Sequence, residues 1–191
     1  DNLKNNLFLA RDHFGIKPLY YVHNNGKFLF SSTIEPFFEA DVEKKINEKA
    51  IRDFLLYNIT DHKDETFYLN ISKFPKGSYA YYNLNSKELK ISKWWNNRFD
   101  VNHSLSFSKA SKSCILLLQN SIKRHIVSDV PLGTSLSGGI DSSAIAALTS
   151  KYHNSKFNTF SIVFDGFHND ETPYINEVSK SVKLSNSKLV I

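Results

Sequence analysis

Apolar and polar positions alternate over short stretches in the first half of the chain and recur at helical spacing in the second. Leu7-Phe8-Leu9-Ala10, Leu19-Tyr20-Tyr21-Val22 and Lys27-Phe28-Leu29-Phe30-Ser31 read as strands, rich in the aromatic and branched residues that suit a pleated surface. The link between the last two, Asn24-Asn25-Gly26, carries the Asn-Gly signal of a tight hairpin, so this opening is antiparallel. Ser32 with Glu35 three residues on resembles a capping box, and Pro36 keeps the helix it would start short. Asn47 is placed to cap a second helix with Ile51, Phe54 and Leu55 on one face. Residues 66–69, 79–83 and 88–92 read as further short strands, with turns at Pro75-Lys76-Gly77 and Asn85-Ser86.

The period changes after a polar stretch at residues 96–104. Ser106 or Ser108 can cap a long helix in which Ala110, Cys114, Leu117, Leu118, Ser121, Ile122, His125 and Ile126 recur at helical spacing. A boundary near residues 99–105 then divides the chain into domains 1–100 and 101–191. Beyond the helix the order is regular: a strand at 130–136, a helix over 142–151, a strand at 157–164, a helix capped by Thr172 with Pro173 at its first position, and a strand beginning at Lys188. A β-α-β-α-β series implies a parallel sheet with right-handed crossovers, and such sheets bind ligands beyond the carboxyl ends of their strands. The fold class expected is α+β, then α/β. Residues 137–143 and 162–166 occupy two such ends and are expected to face one ligand.

Composition narrows the picture. A chain of 191 residues has room for one large domain or two smaller ones. Its net charge of +5 comes mostly from dispersed lysines, a pattern of solvated surface rather than of a nucleic-acid face. The single Cys114 rules out an internal disulfide framework and a cysteine-only zinc site, which fits a reducing cytoplasm; mid-helix on the apolar side, it is expected to be a buried, inert thiol. No apolar run approaches the ~20 residues of a membrane span. With no Met anywhere, the chain is expected to be a fragment of a longer protein. Between the first strands, Gly15 and Pro18 make Arg11 to Tyr20 a turn in which Arg11 and Asp12 are placed to form an ion pair.

The candidate chemistry lies at Ser137-Gly138-Gly139-Ile140-Asp141-Ser142-Ser143. Adjacent glycines let backbone N–H groups converge with no Cβ in the way, and the unpaired amides of the following helix point to the same place. Ser137, Ser142 and Ser143 add hydroxyl donors, and the sum is a cradle for phosphate. A carboxylate beside a phosphate is repelled unless a cation lies between them, so Asp141 implies Mg²⁺. The plainer alternative is a strand-to-helix turn in which Asp141 or Ser142 caps the helix. A nucleotide-binding P-loop is excluded, because no Lys follows the glycines.

Ser135 to Ser143, SLSGGIDSS, is similar to the pyrophosphate loop of the ATP pyrophosphatase superfamily, and the preceding Ser121-Ile122-Lys123-Arg124-His125 and Ser128-Asp129-Val130-Pro131 resemble glutamine-hydrolysing asparagine synthetases in particular. Leu9-Ala10-Arg11-Asp12, Gly15-Ile16-Lys17-Pro18-Leu19-Tyr20-Tyr21, Ser31-Ser32 and Phe74-Pro75-Lys76-Gly77-Ser78-Tyr79 resemble the end of that family's glutaminase domain. Phe160-Ser161-Ile162-Val163-Phe164 and Asp170-Glu171-Thr172-Pro173-Tyr174 resemble the next piece of its synthetase domain. The resemblance implies the C-terminal part of an antiparallel N-terminal-nucleophile glutaminase domain, then the first βαβαβ of an adenine-nucleotide alpha-hydrolase-like domain. It implies ATP and Mg²⁺ as cofactors, with glutamine, aspartate and ATP as substrates, and leaves a homodimer open. Ser137, Gly138, Gly139, Ser142 and Ser143 would hold phosphate and Asp141 the metal, while Ser135, Leu136 and Ile162 would surround AMP. Asp170 and Glu171 would support the helix that follows them. The family's N-terminal cysteine nucleophile, its glutamine-binding residues and its second acidic loop have no counterpart here, so the fragment alone is expected to be inactive. Ser135 replaces a usually apolar residue. Alternatives of the same architecture amidate another acceptor, as polysaccharide, β-lactam or peptide synthetases do, or bind ATP without catalysis.

Overall fold

The structure is a computed structural model that describes residues 1, 5–24, 26–96, 98–101, 103–153, 157–164 and 166–191. It divides into two compact units, 1–100 and 101–191. No helix among the described residues is long and apolar enough to cross a membrane.

The first unit runs β1 (Asn6–Ala10), β2 (Tyr20–Asn24), β3 (Lys27–Ser31), α1 (Glu35–Glu39), α2 (Glu48–Tyr57), β4 (Ser72–Lys73), β5 (Ser78–Asn83) and β6 (Leu89–Lys93). Two antiparallel sheets result, ordered β1-β5-β6 and β3-β2-β4. The β2–β3 hairpin forms as expected, with Gly26 at φ +75°; Asn25 lies outside the described residues. Strand alternation makes the layers. Leu9, Ala80 and Phe74 form a core against which Leu7, Tyr21, Phe28 and Ile91 pack, so the two sheets face each other. Val22, on the opposite face of β2 from Tyr21, meets Phe37 of α1 and Ile71 in a second core.

Two expectations fail here for local reasons. The capping box at Ser32 does not form: α1 begins after Ile34 with no side-chain cap, while the Thr33 N–H donates to Ser31 Oγ at 3.2 Å. Residues 66–69 form no strand, because buried Thr66 Oγ1 reaches the carbonyls of Tyr68 and Ile71 at 2.9 and 2.7 Å and folds the segment on itself. Only isolated bridges remain there, and β4 pairs with β2 instead. Asn47 does cap α2, accepting from the Ala50 N–H at 3.2 Å, although Phe54 and Leu55 are exposed.

Arg11 and Asp12 form no ion pair with each other among the described residues; each binds backbone instead. Arg11 donates to the carbonyls of Lys17, Phe74 and Gly15 at 2.9, 2.6 and 3.0 Å. The Asp12 carboxylate accepts from the N–H groups of Lys17, Ile16 and Phe14 at 3.1, 2.9 and 3.2 Å. Those donors, the Lys17 N–H foremost, hold its carboxyl below the ordinary value. A depressed folded pKa contributes stability that is present above the unfolded value and lost as pH falls through the folded one, here below about pH 4. Asp12→Asn is therefore expected to lower stability near neutrality and to flatten the acid limb. Urea midpoints between pH 2 and 7 check this, and parallel profiles for the two proteins would refute it.

The second unit runs α3 (Phe107–His125), β7 (Gly133–Ser135), α4 (Ile140–Tyr152), β8 (Asn158–Val163), α5 (Thr172–Val182) and β9 (Ser185–Val190). The strands form a parallel sheet ordered β7-β8-β9, with Ser135, Phe160 and Ser187 in register. Leu136, Ala146, Val163 and Ile175 form the core, so α4 and α5 cover the same face of the sheet. Phe160, Ile162 and Leu189 lie on the other face, each more than half exposed.

The expected strand at 130–136 shrinks to three residues. Pro131 cannot donate to a ladder, and the Val130 N–H turns back to Ser128 Oγ at 3.2 Å. Ser106 caps α3, its hydroxyl accepting from the Lys109 N–H. Cys114 is exposed rather than buried. The packed line of α3 is Leu118, Ile122 and Ile126, so the helix is rotated from the broader apolar stripe and Cys114 and Leu117 fall outside it. Thr172 does not cap α5: the cap position is Glu171, with Pro173 in the first turn.

Candidate functional site

The loop between β7 and α4 is shaped by one glycine more than by two. Gly138 has φ +80°, a left-handed conformation, whereas Gly139 at φ −68° is ordinary extended backbone serving as the α4 cap. A Cβ on Gly138 would stand 2.7 Å from Tyr174 Cβ and 3.1 Å from the Ile175 nitrogen, so the loop is seated against the first turn of α5. No side chain caps α4, which leaves its first-turn amides without a side-chain acceptor at the carboxyl end of β7.

The serines divide. Ser137 and Ser142 hydroxyls lie 3.0 Å apart; the Ser137 N–H donates to Ser142 Oγ at 3.2 Å, and Ser142 Oγ donates to the Gly139 carbonyl at 3.2 Å. The Gly139 N–H closes the ring on Ser137 Oγ at 3.4 Å. These two hydroxyls, expected as phosphate donors, first hold the loop in shape. Ser143 Oγ is buried with no partner among the described residues, the kind of orphan that in a native fold asks for a ligand or a water.

Asp141 stands exposed in the first turn of α4, where a negative charge suits the helix dipole; it is not the cap, and neither is Ser142. No group of three or more His, Cys, Asp or Glu able to hold a metal occurs among the described residues. Asp141 is the one acidic residue in the first turn of α4, a single hard oxygen donor of the type that Mg²⁺ takes alongside phosphate oxygens and water. Asp170 accepts from the Thr172 N–H and hydroxyl at 3.0 and 2.6 Å, the hydroxyl foremost in holding its carboxyl below the usual value. It thereby fastens the start of α5, and Glu171 beside it is the helix cap.

Ser135, Leu136, Ser137 and Ile162 line one open cavity of about 550 Å³ on the sheet, and Phe160 and Leu189 join them there. Gly138, Gly139, Asp141, Ser142 and Ser143 lie outside its lining, in the loop and helix turn that continue from Ser137. Asp165, within the expected second strand end, lies outside the described residues. Phe160 and Leu189 escaped the sequence reading, although Phe160 shares the outward alternation of Ile162 in β8. Tyr174, packed against Gly138, left no signal short of the fold.

Comparisons with known proteins agree with this layout. Residues 1–95 match the family described as glutamine amidotransferase domain, and residues 115–191 the family described as asparagine synthase. Glutamine-hydrolyzing asparagine synthetase 2 of Bacillus subtilis is 31% identical over 201 residues, covering 100% of this chain and 27% of that protein. Glutamine-hydrolyzing asparagine synthetase 3 of the same organism is 27% identical over 206 residues, covering 100% of this chain and 33% of that protein. The chain therefore spans about a third or less of the length of these relatives. An NH3-dependent NAD synthetase structure from Campylobacter jejuni aligns at 17% identity and a TM-score of 0.34, over 46% of this chain and 37% of that one, too low a score to carry an argument. An antiparallel amidotransferase-type unit followed by a parallel synthase-type unit defines the class. Within it, the chain belongs to the asparagine synthetase family.

Proposed function

We propose that the protein makes an amide bond at the expense of ATP, transferring nitrogen from glutamine, or from ammonia, to aspartate to give asparagine, AMP and pyrophosphate. The aspartate β-carboxylate attacks the α-phosphorus of ATP and pyrophosphate departs, leaving β-aspartyl-AMP. Ammonia then attacks the activated carbonyl carbon and AMP departs. The observation that carries this reading is the left-handed turn at Gly138, which sets the uncapped start of α4 at the end of a parallel strand, in a chain whose first unit matches a glutamine amidotransferase domain.

In this mechanism Ser137 to Gly139 and the first amides of α4 receive the charge that grows on the departing pyrophosphate, with Ser142 and Ser143 beside them. Asp141 would hold Mg²⁺, which when bound would neutralise phosphate charge. Ser135, Leu136 and Ile162, with Phe160 and Leu189, surround the nucleoside in the open cavity. The relatives' names supply aspartate and glutamine as the substrates to try.

The test is pyrophosphate release by the full-length protein with ATP, Mg²⁺ and glutamine, in the presence and absence of aspartate. Aspartate-dependent release with asparagine as product is expected. Release that ignores aspartate but responds to another carboxylate would move the protein to a relative with a different acceptor.

A further inference from the structure

The helix-covered face of a parallel sheet is normally apolar, yet the inward residues of β8 are Thr159, Ser161 and Val163. Both hydroxyls are engaged. Thr159 Oγ1 donates to the Ser185 carbonyl at 3.0 Å, and Ser161 Oγ donates to the Leu136 carbonyl at 2.5 Å. Asn186 of β9 donates from its amide nitrogen to both hydroxyl oxygens, at 2.9 and 3.0 Å, while its own Oδ1 stays buried without a partner among the described residues. A buried polar chain that leaves one atom unsatisfied is costly for a core, so its placement calls for a reason.

The place where the chain ends supplies one. β7 stops at Ser135, and the last bond of the ladder is the Leu136 N–H to the Phe160 carbonyl at 2.8 Å. The Leu136 carbonyl is held instead by the Ser161 side chain, on the residue immediately before Ser137 and Gly138. Leu136 is only 1% exposed, and this residue that launches the loop is gripped at its N–H by β8 backbone and at its carbonyl by a β8 hydroxyl.

We propose that Ser161, steadied by Asn186, is a positioning residue for the phosphate loop: its hydroxyl fixes the direction in which Ser137 to Gly139 leave the sheet. The proposal rests on the reading of that loop as the phosphate site. Ser161 is 6% exposed and its hydroxyl is turned to the Leu136 carbonyl, so the hydroxyl acts on the loop through Leu136. An error of about 1 Å in such a loop is enough to cost tenfold to a hundredfold in rate.

The experiment uses a matched pair in the full-length protein, Ser161→Thr, which keeps the hydroxyl and adds a methyl, and Ser161→Val, which has the shape of that threonine with the hydroxyl replaced by a methyl. Steady-state pyrophosphate release is followed against ATP concentration, with glutamine hydrolysis and the thermal midpoint measured alongside. Ser161→Val is expected to raise the KM for ATP about tenfold or more, with glutamine hydrolysis unchanged, and Ser161→Thr to behave as wild type. A wild-type KM for ATP in Ser161→Val, or the same loss in Ser161→Thr, overturns the proposal. Should Ser161→Val not fold, Asn186→Ala puts the same question through the hydroxyl that Asn186 holds, with the same two outcomes. Asp141→Ala separates the two levels: if it leaves pyrophosphate release intact, the phosphate reading of the loop fails. If it abolishes release while Ser161→Val keeps the wild-type KM, the positioning role alone fails.

Discussion

Asp141→Ala is expected to lower ATP-dependent pyrophosphate release by about a hundredfold or more while glutamine hydrolysis in the same protein stays near its wild-type rate. The two activities should separate because Asp141 contributes little to the fold. It is exposed, it caps nothing, and it takes part in no ion pair among the described residues. Surface substitutions of that kind move stability by about half a kcal/mol. Its value in the proposed mechanism is instead electrostatic, as the one carboxylate in the first turn of α4 and hence the protein's handle on a phosphate-bound cation. Asp141→Asn should show nearly the same loss, since an amide keeps the shape and removes the charge. Equal loss of both activities would point to misfolding, and full retention of both would return Ser137 to Ser143 to a simple structural turn.

What the residues made legible follows how local each determinant is. The β2–β3 hairpin, the Asn47 cap and the turn and helix around Gly138 are each set by neighbours within a few positions, and each forms where expected, whereas the strand before that turn is shorter than expected. Determinants that come from across the fold were hidden. The extent of β7 depends on pairing with β8, and the rotation that exposes Cys114 depends on which line of α3 meets the rest of its unit. β8 inverts the usual pattern: apolar Phe160 and Ile162 face outward to the open cavity while Thr159 and Ser161 face the helices. Alternation alone would bury the first pair, and only the Leu136 carbonyl and the Asn186 amide explain the second. Of the candidate site, the loop residues could be read because glycines and a helix start are local signals. The ring of bonds between Ser137 and Ser142 and the seat of Gly138 against Tyr174 belong to tertiary structure.

That seat makes Gly138→Ala the other large effect. At φ +80° a side chain costs about 1–2 kcal/mol before any contact is considered. The added methyl would also stand 2.7 Å from Tyr174 Cβ, an atom fixed to the α5 backbone that cannot swing aside as the tip of a long side chain does. Either the loop rises from α5 or α5 shifts, and the ring joining Ser137, Gly139 and Ser142 is pulled apart. The expected result is a lower thermal midpoint together with loss of ATP-dependent pyrophosphate release by about a hundredfold, the scale of a displaced catalytic loop. Gly139→Ala is the control. Gly139 lies at φ −68°, and the nearest atom to its added Cβ is Ser137 Oγ at 3.4 Å, ordinary contact, so the variant should keep most of its stability. If the two variants behaved alike, the left-handed turn would not be what shapes the cradle, and the weight would move to the amides of α4.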